Sequence, residues 1–298
     1  MKPQILLIYT GGTIGMIKDP RTASLHAFDF NSLIEKIPEL NLLDCSIDNI
    51  SFETPIDSSN ISPSHWIEIA RIIEQKYTMY DGFVVLHGSD TMSYSASALS
   101  FMLENLSKPV IFTGSQLPIG DLRTDAKENL ITAIQIAALQ NNNKAIINEV
   151  GLYFEYKLYR GNRTTKINAD YFEAFSSMNF PALITSGVLL NINHQILLKN
   201  YSKAPFCVHK ELDDNVALVK LFPGISQTVL SSTLEIPKLK AVIIETYGSG
   251  NASTDNWFLQ TIEEALKKGI YVVNVTQCAG GSVQMNQYHT GKLLEELG

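Results

Sequence analysis

The sequence contains few cysteines. Only three of its 298 residues are cysteine, and Cys45, Cys207 and Cys278 are far apart along the chain. Three widely separated cysteines give neither a disulfide framework nor the paired spacing of a zinc site. We therefore expect free thiols in a reducing compartment and no metal site.

Positive charge is also scarce. Lysine and arginine together number 23, against 30 aspartates and glutamates, and the formal net charge is −7. Nucleic-acid binding is driven largely by lysine and arginine side chains that contact phosphates, and no basic cluster offsets the acidic balance. The charge therefore argues against a nucleic-acid partner.

Long apolar runs are missing as well. The N-terminal segment "MKPQILLIYTGG" has four apolar residues between its lysine and its glycines, which is too short for the apolar part of a secretion signal. No run approaches the length that a membrane-spanning helix needs. These absences predict a cytoplasmic protein that does not bind membranes.

The sequence does contain short apolar runs that alternate with helical patterns. Strands are predicted over residues 5–9, 44–54, 82–88, 109–115 and 145–154, and helices over 62–77, 93–106 and 123–140. Ser62 and Pro63 have the features of an N-cap and a first helical residue. Alternating strands and helices imply parallel strands joined by crossovers, hence an α/β fold.

The pattern changes after residue 187. The segment "GVLLNINHQILL" predicts a small hairpin, and the polar segment 199–215, broken by proline, is typical of a linker. Strands at 216–222, 241–251 and 269–278, with a helix at 255–268, form a second α/β block. We predict a larger N-terminal catalytic domain (1–190) with a mostly parallel sheet flanked by helices, a linker (191–213) and a smaller C-terminal α/β domain (214–298).

Polar clusters follow four of the predicted strands. They are "TGGT" (10–13), "DSSN" (57–60), "HGSD" (87–90) and "TGSQ" (113–116). Because functional groups of parallel sheets lie at the carboxyl ends of the strands, we expect a site there.

The glycine-rich segment "YTGGTIGM" has three interpretations. It is not a P-loop, since no lysine follows Gly15 at the required position, and the spacing of Gly11, Gly12 and Gly15 does not match the dinucleotide fingerprint. A plain glycine turn and a loop that holds a reactive threonine, Thr13, both remain open.

The other clusters also have two interpretations each. Asp90 could be a helix N-cap or a functional acid. Residues 57–60 could form a turn or bind a small carboxylate. Lys166, in "YRGNRTTKIN", could lie in a solvated basic loop or carry protons beside Asp90. The lipase-type Gly-x-Ser-x-Gly turn is absent.

Together these segments resemble the bacterial L-asparaginases of the cytoplasmic type (type I). The resemblance covers essentially the whole chain. It is carried, in the family's order and spacing, by "YTGGTIGM", "DSSN", "DGFVVLHGSDTMSYSASALSFMLENLSKPVIFTGSQLP", "LYRGNRTTKINADYFEAFSSMNFP", "FPGIS", "YGSGNA" and "VVNVTQC".

The resemblance implies an amidohydrolase that converts L-asparagine to L-aspartate and ammonia without a cofactor, as a homodimer or dimer of dimers. It implies that Thr13 attacks the side-chain amide and forms an acyl-enzyme, and that Ser89, Asp90 and Lys166 handle protons. The residues implied in substrate binding are Asp57, Ser58, Ser59, Ser89 and Asp90.

The chain departs from the family in three places. Ser89 stands where most relatives have threonine, and no tyrosine follows Thr13 in the next loop, where Leu25 or His26 falls. The chain also ends earlier than its relatives, which predicts a shortened C-terminal domain. These departures keep alternatives open: a catalytically weak amino-acid-binding or regulatory protein, or an enzyme for glutamine or tRNA-linked glutamine. The joint presence of Thr13, Asp90 and Lys166 favours the asparaginase.

Overall fold

The computed structural model describes residues 2–18, 25–27, 37–199, 202, 204–287 and 289–297. The chain divides into two compact units, residues 1–210 and 211–298. This division runs through the predicted linker and leaves the linker residues up to 210 with the first unit. There, Cys207–Val208 pairs with Leu103–Glu104 in a short antiparallel ladder.

The strands of the described residues, in chain order, are β1 (Gln4–Gly11), β2 (Met16–Lys18), β3 (Leu25–Ala27), β4 (Ser46–Ile56), β5 (Gly82–Leu86), β6 (Leu103–Glu104), β7 (Val110–Thr113), β8 (Gln140–Asn141), β9 (Lys144–Ala145), β10 (Val150–Phe154), β11 (Lys157–Arg160), β12 (Thr165–Lys166), β13 (Phe175–Ser176), β14 (Ile184–Ser186), β15 (Leu190–Ile192), β16 (Cys207–Val208), β17 (Val216–Lys220), β18 (Ala241–Thr246) and β19 (Tyr271–Thr276). The α-helices are α1 (Pro63–Lys76), α2 (Met92–Met102), α3 (Ala126–Ala137), α4 (Gln227–Leu234), α5 (Asn256–Lys267) and α6 (His289–Glu295).

Eight strands of the first unit form one sheet, in the order β15-β14-β11-β10-β7-β5-β1-β4. The pairs from β4 to β10 are parallel, whereas β11, β14 and β15 add antiparallel pairs at the other edge. Helix α1 connects β4 to β5, α2 connects β5 to β7, and α3 lies between β7 and β10. This mostly parallel sheet with crossover helices confirms the predicted α/β class.

Helices cover both faces of this sheet. In β1, Leu6 and Ile8 belong to a core that includes residues of α1 and α2, whereas Ile5 and Leu7 belong to a second core with α3. Side chains along a strand point alternately to the two faces, so neighbouring residues of β1 are buried on opposite sides. This explains why "ILLI" is a continuous apolar run rather than an alternating one.

The second unit is built around three parallel strands, in the order β17-β18-β19. Leu230 of α4 and Phe258 and Ile262 of α5 pack with Val242 and Ile244 of the middle strand in its core. The three strands fall within the predicted ones. A smaller C-terminal α/β block is therefore confirmed.

The prediction for the connection between α3 and β10 was wrong. The helix predicted over 123–140 ends at Ala137, and the strand predicted after it begins only at Val150. Between them lies a β8–β9 hairpin, whose Asn142 and Asn143 have φ angles of 51° and 58°. Asparagine tolerates positive φ, and two such residues form the tight turn of a two-residue hairpin. The "NNN" turn thus interrupts the apolar pattern on both sides.

A buried ion pair anchors the segment that leads to Lys166. The side chains of Glu149 and Arg160 are 3% and 13% exposed. Nε of Arg160 donates to Oε2 of Glu149 at 2.5 Å, and Nη2 donates to Oε1 at 3.2 Å and to the carbonyl oxygen of Ile196 at 2.7 Å. The backbone N–H of Leu198 donates to the same carboxylate. Arg160 is thus buried and paired, rather than part of a solvated basic loop.

Replacing Glu149 by glutamine should destabilise the first unit strongly. The amide leaves the guanidinium of Arg160 buried without a counter-charge, and breaking a buried pair in this way costs about 3 kcal/mol. We expect a lower midpoint of urea unfolding with an unchanged slope. The control is Lys157→Met, which removes an exposed pair with Glu173 and should change the unfolding free energy by less than about 1 kcal/mol. Equal midpoints for the two variants would show that burial adds nothing here.

Candidate active site

The carboxyl ends of β4, β1, β5 and β7 lie at one edge of the main sheet, because these strands are adjacent and parallel. A 3₁₀ turn follows each of β1, β4 and β5, namely Thr13–Gly15, Ser58–Asn60 and Ser89–Thr91. The loop after β7 carries Gln116. The four predicted polar clusters therefore occupy the edge where α/β proteins bind ligands.

The glycine turn after β1 packs closely against the neighbouring strand ends. Gly11 and Gly12 have φ angles of 129° and 88°, which favour glycine. A Cβ on Gly11 would lie 2.2 Å from the carbonyl oxygen of Ile56, at the end of β4. A Cβ on Gly12 would lie 2.4 Å from the backbone nitrogen of Gly88, after β5. The two glycines thus allow a close backbone approach that carries Thr13 to the turn after β5.

Lys166 reaches this edge from β12. Its Nζ donates to Oγ of Ser89 at 2.9 Å and to Oδ1 of Asp90 at 2.7 Å. The side chain of Lys166 is 16% exposed and that of Asp90 is 65% exposed. The Ser89 hydroxyl therefore accepts from a nearly buried amine, and a hydroxyl can both accept and donate a proton. The structure brings Ser89, Asp90 and Lys166 into direct contact.

Thr13 lies near this group without bonding to it. Thr13 is half-buried and follows the close contact between Gly12 and Gly88. Within the described contacts, its hydroxyl has no hydrogen bond to Ser89 or Lys166. Catalytic hydrogen bonds are often long in the absence of substrate, so the lack of a hydrogen bond to Ser89 or Lys166 does not remove Thr13 from the candidate site.

The predicted carboxylate-binding residues follow β4. Ser58 is 6% exposed, whereas Asp57 and Ser59 are exposed. The carbonyl of Ser58 accepts from Oγ1 of Thr91 at 2.7 Å, and its Oγ lies 2.6 Å from where a Cβ on Gly88 would be. Oδ1 of Asp57 accepts from the backbone N–H of Ser59 at 2.8 Å. Ser58 therefore faces the turn after β5, and Asp57 caps its own turn.

Gln116 is a site residue that the sequence did not single out. Its Oε1 accepts from Oγ of Ser89 at 3.0 Å, and its Nε2 donates to the carbonyl oxygens of Ala169 and Tyr171, both at 3.2 Å. Its backbone N–H donates to Oδ2 of Asp125, at 2.9 Å, and Asp125 is 7% exposed. The only signal in the sequence was the polar cluster after the fourth strand. Gln116 thus holds the hydroxyl that Lys166 contacts.

His87 lies beneath the turn after β5 and is 1% exposed. Its Nδ1 is 2.8 Å from the carbonyl oxygen of Gly88, and its Nε2 is 2.8 Å from Oγ of Ser95 on α2. The Ser95 hydroxyl also accepts from Nε1 of Trp66 on α1, at 2.9 Å. Burial lowers the pKa of His87 from 6.5 to about 4, so the imidazole is neutral at physiological pH.

His87 should weaken folding as the pH falls below its ordinary pKa. Its folded pKa of about 4 lies below the unfolded value of 6.5, so between these values the unfolded chain binds a proton that the folded protein excludes. The stability that the neutral ring contributes is fully present above the unfolded pKa of 6.5 and is lost as the pH falls to the folded pKa of about 4. A shift of this size corresponds to about 3 kcal/mol.

Urea unfolding at a series of pH values checks this expectation. Between neutral pH and pH 4, the unfolding free energy of the wild type should fall by about 3 kcal/mol more than that of His87→Asn, which has no titrating ring. Other groups titrate alike in both proteins and cancel in the comparison. Parallel curves would contradict the expectation.

An open cavity of about 390 Å³ adjoins the Lys166–Asp90 pair. Tyr94 and Ile167, which line it, and Tyr171 close by, are 68%, 54% and 71% exposed. A larger cavity, of about 510 Å³, lies beside Glu149 and Arg160, away from the carboxyl ends of the strands. The smaller of these two cavities is the candidate site, because Asp90 and Lys166 line it.

The side chains of Leu25 and His26, at the position of the relatives' tyrosine, lie outside the described residues. Within the described ranges, no group of three or more histidine, cysteine, aspartate or glutamate side chains could hold a metal ion. None of the described helices is long and apolar enough to span a membrane.

Comparison with known proteins agrees with the fold and the motifs. A family model described as "Asparaginase, N-terminal" matches residues 4–198, and one described as "Glutaminase/Asparaginase C-terminal domain" matches residues 215–298. L-asparaginase 1 of Escherichia coli is 44% identical over 303 residues, which cover 100% of this chain and 86% of that protein.

Two solved structures are similar over almost the whole chain. L-asparaginase I from Vibrio cholerae is 39% identical with a TM-score of 0.89, and the match covers 100% of this chain and 87% of that one. The thermostable L-asparaginase from Thermococcus kodakarensis is 29% identical with a TM-score of 0.88, and the match covers 99% and 86%. Family models, sequence identity and structure agree, and the chain belongs to the asparaginase family.

Proposed function

We propose that this chain hydrolyses the side-chain amide of L-asparagine to give L-aspartate and ammonia, with Thr13 as the nucleophile. The observation that carries the proposal is the amine of Lys166, bonded to Ser89 and Asp90 at the strand edge that also carries Thr13. The names of the relatives, L-asparaginases at 44% and 39% identity, support this substrate.

A free amino acid needs one site for its α-carboxylate and another for its α-ammonium group. We assign the carboxylate to Ser58 and Ser59, whose hydroxyls can donate to it. We assign the ammonium group to Asp90, whose carboxylate is largely exposed and bonds Lys166 through one oxygen. Asp57 and Ser89 complete the set of substrate-binding residues.

Acylation begins when Oγ1 of Thr13 adds to the side-chain carbonyl carbon. The step requires the amine of Lys166 as a base: it takes the proton of Ser89 while Ser89 takes the proton of Thr13, so Ser89 turns its hydrogen from Gln116 toward Lys166. Asp90 stabilises the ammonium ion that forms. That proton returns to the amide nitrogen, the C–N bond breaks, ammonia leaves, and an aspartyl ester remains on Thr13.

Deacylation repeats these transfers with water. Water adds to the ester carbonyl and gives up a proton along the same route, and that proton returns to Oγ1 of Thr13 as the ester bond breaks. The oxyanion formed in each step needs fixed donors. We assign this role to backbone N–H groups of the glycine turn, because Gly11 and Gly12 allow the backbone to approach closely.

The assembly and location are also proposals. We propose a homodimer or a dimer of dimers, supported by the exposed Tyr94, Ile167 and Tyr171 around the cavity, which would pack in an interface. We propose a cytoplasmic protein, supported by the cysteines: Cys45 is half-buried, Cys207 and Cys278 are exposed, and all three are free.

Release of ammonia from L-asparagine tests the function. Purified chain is incubated with L-asparagine, L-glutamine or D-asparagine, and ammonia is measured by a coupled dehydrogenase assay. We expect rapid release from L-asparagine and little from the D-isomer, because Asp90 and Ser58 would meet the wrong α-substituents. Binding of L-asparagine without ammonia release would overturn the proposal in favour of an amino-acid-binding protein.

A further inference from the structure

We infer that His87 is a positioning residue for the reaction, because its Nδ1–H holds the carbonyl of Gly88 and so orients the peptide that leads into Ser89. The inference rests on the proposed function and adds to it a side chain that touches neither substrate nor nucleophile.

The hydrogen-bond partners decide which ring nitrogen of His87 carries the hydrogen. The carbonyl oxygen of Gly88 can only accept, so Nδ1 must donate to it. Nε2 is then the acceptor and receives the hydroxyl hydrogen of Ser95. That hydroxyl accepts from the indole N–H of Trp66, which can only donate. Each group in this series of hydrogen bonds, from the Trp66 indole to the Gly88 carbonyl, therefore has a defined role as donor or acceptor.

The direction of the Gly88 carbonyl fixes the direction of the next amide. The described peptide bonds include no cis bond, and in a planar trans peptide the C=O and N–H groups point in opposite directions. Because the carbonyl of Gly88 points to His87 in the core, the N–H of Ser89 points away from the core. No acceptor for that N–H is found in the described part of the chain. It is therefore free for a ligand at the strand edge.

Gly88 needs an outside restraint because it is glycine. A Cβ at this position would lie 2.6 Å from Oγ of Ser58, so a larger residue would have to displace the Ser58 side chain. Glycine, however, has the greatest backbone freedom of all residues. Its φ of −65° and ψ of 141° are only one of the conformations open to it. The bond from His87 supplies the restraint that a side chain at position 88 would otherwise give.

The consequence reaches the proton-handling group. Ser89 follows this peptide, and its Oγ sits between Nζ of Lys166 at 2.9 Å and Oε1 of Gln116 at 3.0 Å. Rotation of the Gly88–Ser89 peptide would displace that hydroxyl and turn the Ser89 N–H away. Burial keeps the imidazole of His87 neutral. Nε2 therefore stays an acceptor for the Ser95 hydroxyl, and the donor and acceptor roles from Trp66 to Gly88 are preserved.

Two variants separate positioning from simple packing. His87→Asn places an amide N–H near the position of Nδ1 and can keep the bond to Gly88. His87→Gln places its amide near the position of Nε2, so it can keep the bond to Ser95 and loses the one to Gly88. With L-asparagine as substrate, we expect kcat to stay within about 3-fold of the wild type in His87→Asn and to fall about 10-fold in His87→Gln. KM should change less than about 2-fold in both variants. The difference in kcat corresponds to the loss of one hydrogen bond.

The outcomes are distinct. Equal kcat for the two variants, or a higher kcat for His87→Gln, would overturn the inference, because a packing role favours the longer side chain. Crystal structures of both variants give a readout that does not depend on activity. The Gly88–Ser89 peptide should keep its orientation in His87→Asn and rotate in His87→Gln, and the same orientation in both would also overturn the inference. A wild type without activity would count against the proposed function alone.

Discussion

Thr13→Ala should lose at least about 10⁴-fold in kcat/KM for L-asparagine, because the variant has no hydroxyl to form the acyl-enzyme. Positioned donors and substrate binding would still speed a direct attack by water, so some activity can remain. Thr13 is half-buried and has no described hydrogen bond to the lysine group, so the variant should fold as the wild type does. Steady-state ammonia release measures the loss.

Thr13→Ser is the matched control. It keeps the hydroxyl and loses one methyl group, so it should retain activity within about 10-fold. Calorimetry should give similar affinities for L-aspartate in the wild type and in Thr13→Ala, since the assigned α-carboxylate and α-ammonium sites lie on other residues. Equal turnover by Thr13→Ala and the wild type would remove Thr13 from the mechanism.

Lys166→Met should lose about 10³-fold in kcat, which is within the range for positioned proton transfer. Methionine keeps the length and the apolar contacts of the buried stem but removes the amine that bonds Ser89 and Asp90. The affinity for the α-groups should change much less, because Asp90 keeps its carboxylate. The expected signature is therefore a large fall in kcat with a small change in KM.

Lys157→Met is the control for this variant. Lys157 lies on β11 of the same sheet, and its ion pair with Glu173 spans 3.8 Å between side chains that are 43% and 74% exposed. Its removal should leave kcat unchanged. A comparable fall in both variants would point to a general electrostatic or folding effect instead of proton transfer by Lys166.

Local signals in the sequence predicted the elements that position the site. Ser62 and Pro63 marked the start of α1, and the helix begins at Pro63, with Nδ1 of His65 accepting from the backbone N–H of Ser62. The polar residues after four apolar runs predicted the site edge, because the order of parallel strands requires their carboxyl ends to meet. Such signals depend on neighbours in the chain, which a single sequence displays.

The supporting contacts could not be predicted in this way. Gln116 contacts Ser89 and the carbonyl of Tyr171, and His87 contacts Ser95, which in turn contacts Trp66. These residues come from separate elements, and their contacts depend on how the helices pack on the sheet. Nothing in the local pattern distinguishes such a glutamine or histidine from an ordinary loop or core residue.

The roles of the site residues stay predictions. The structure places Lys166, Ser89 and Asp90 in contact. From the sequence alone, Lys166 could also have lain in a solvated loop, and Asp90 could have been only a helix N-cap. It also shows Asp57 capping a turn, which was the competing interpretation of that cluster. The proposed attack by Thr13 is tested by kinetics.

Partition of the intermediate between water and hydroxylamine tests the central claim, an acyl-enzyme on Thr13, most directly. L-Asparagine and the β-methyl ester of L-aspartate would form the same aspartyl ester after losing ammonia or methanol. At a fixed hydroxylamine concentration, the wild type should therefore give the same ratio of aspartyl hydroxamate to aspartate from both substrates, whatever their rates. Ratios that differ between the two substrates would contradict a common acyl-enzyme and with it the proposed role of Thr13.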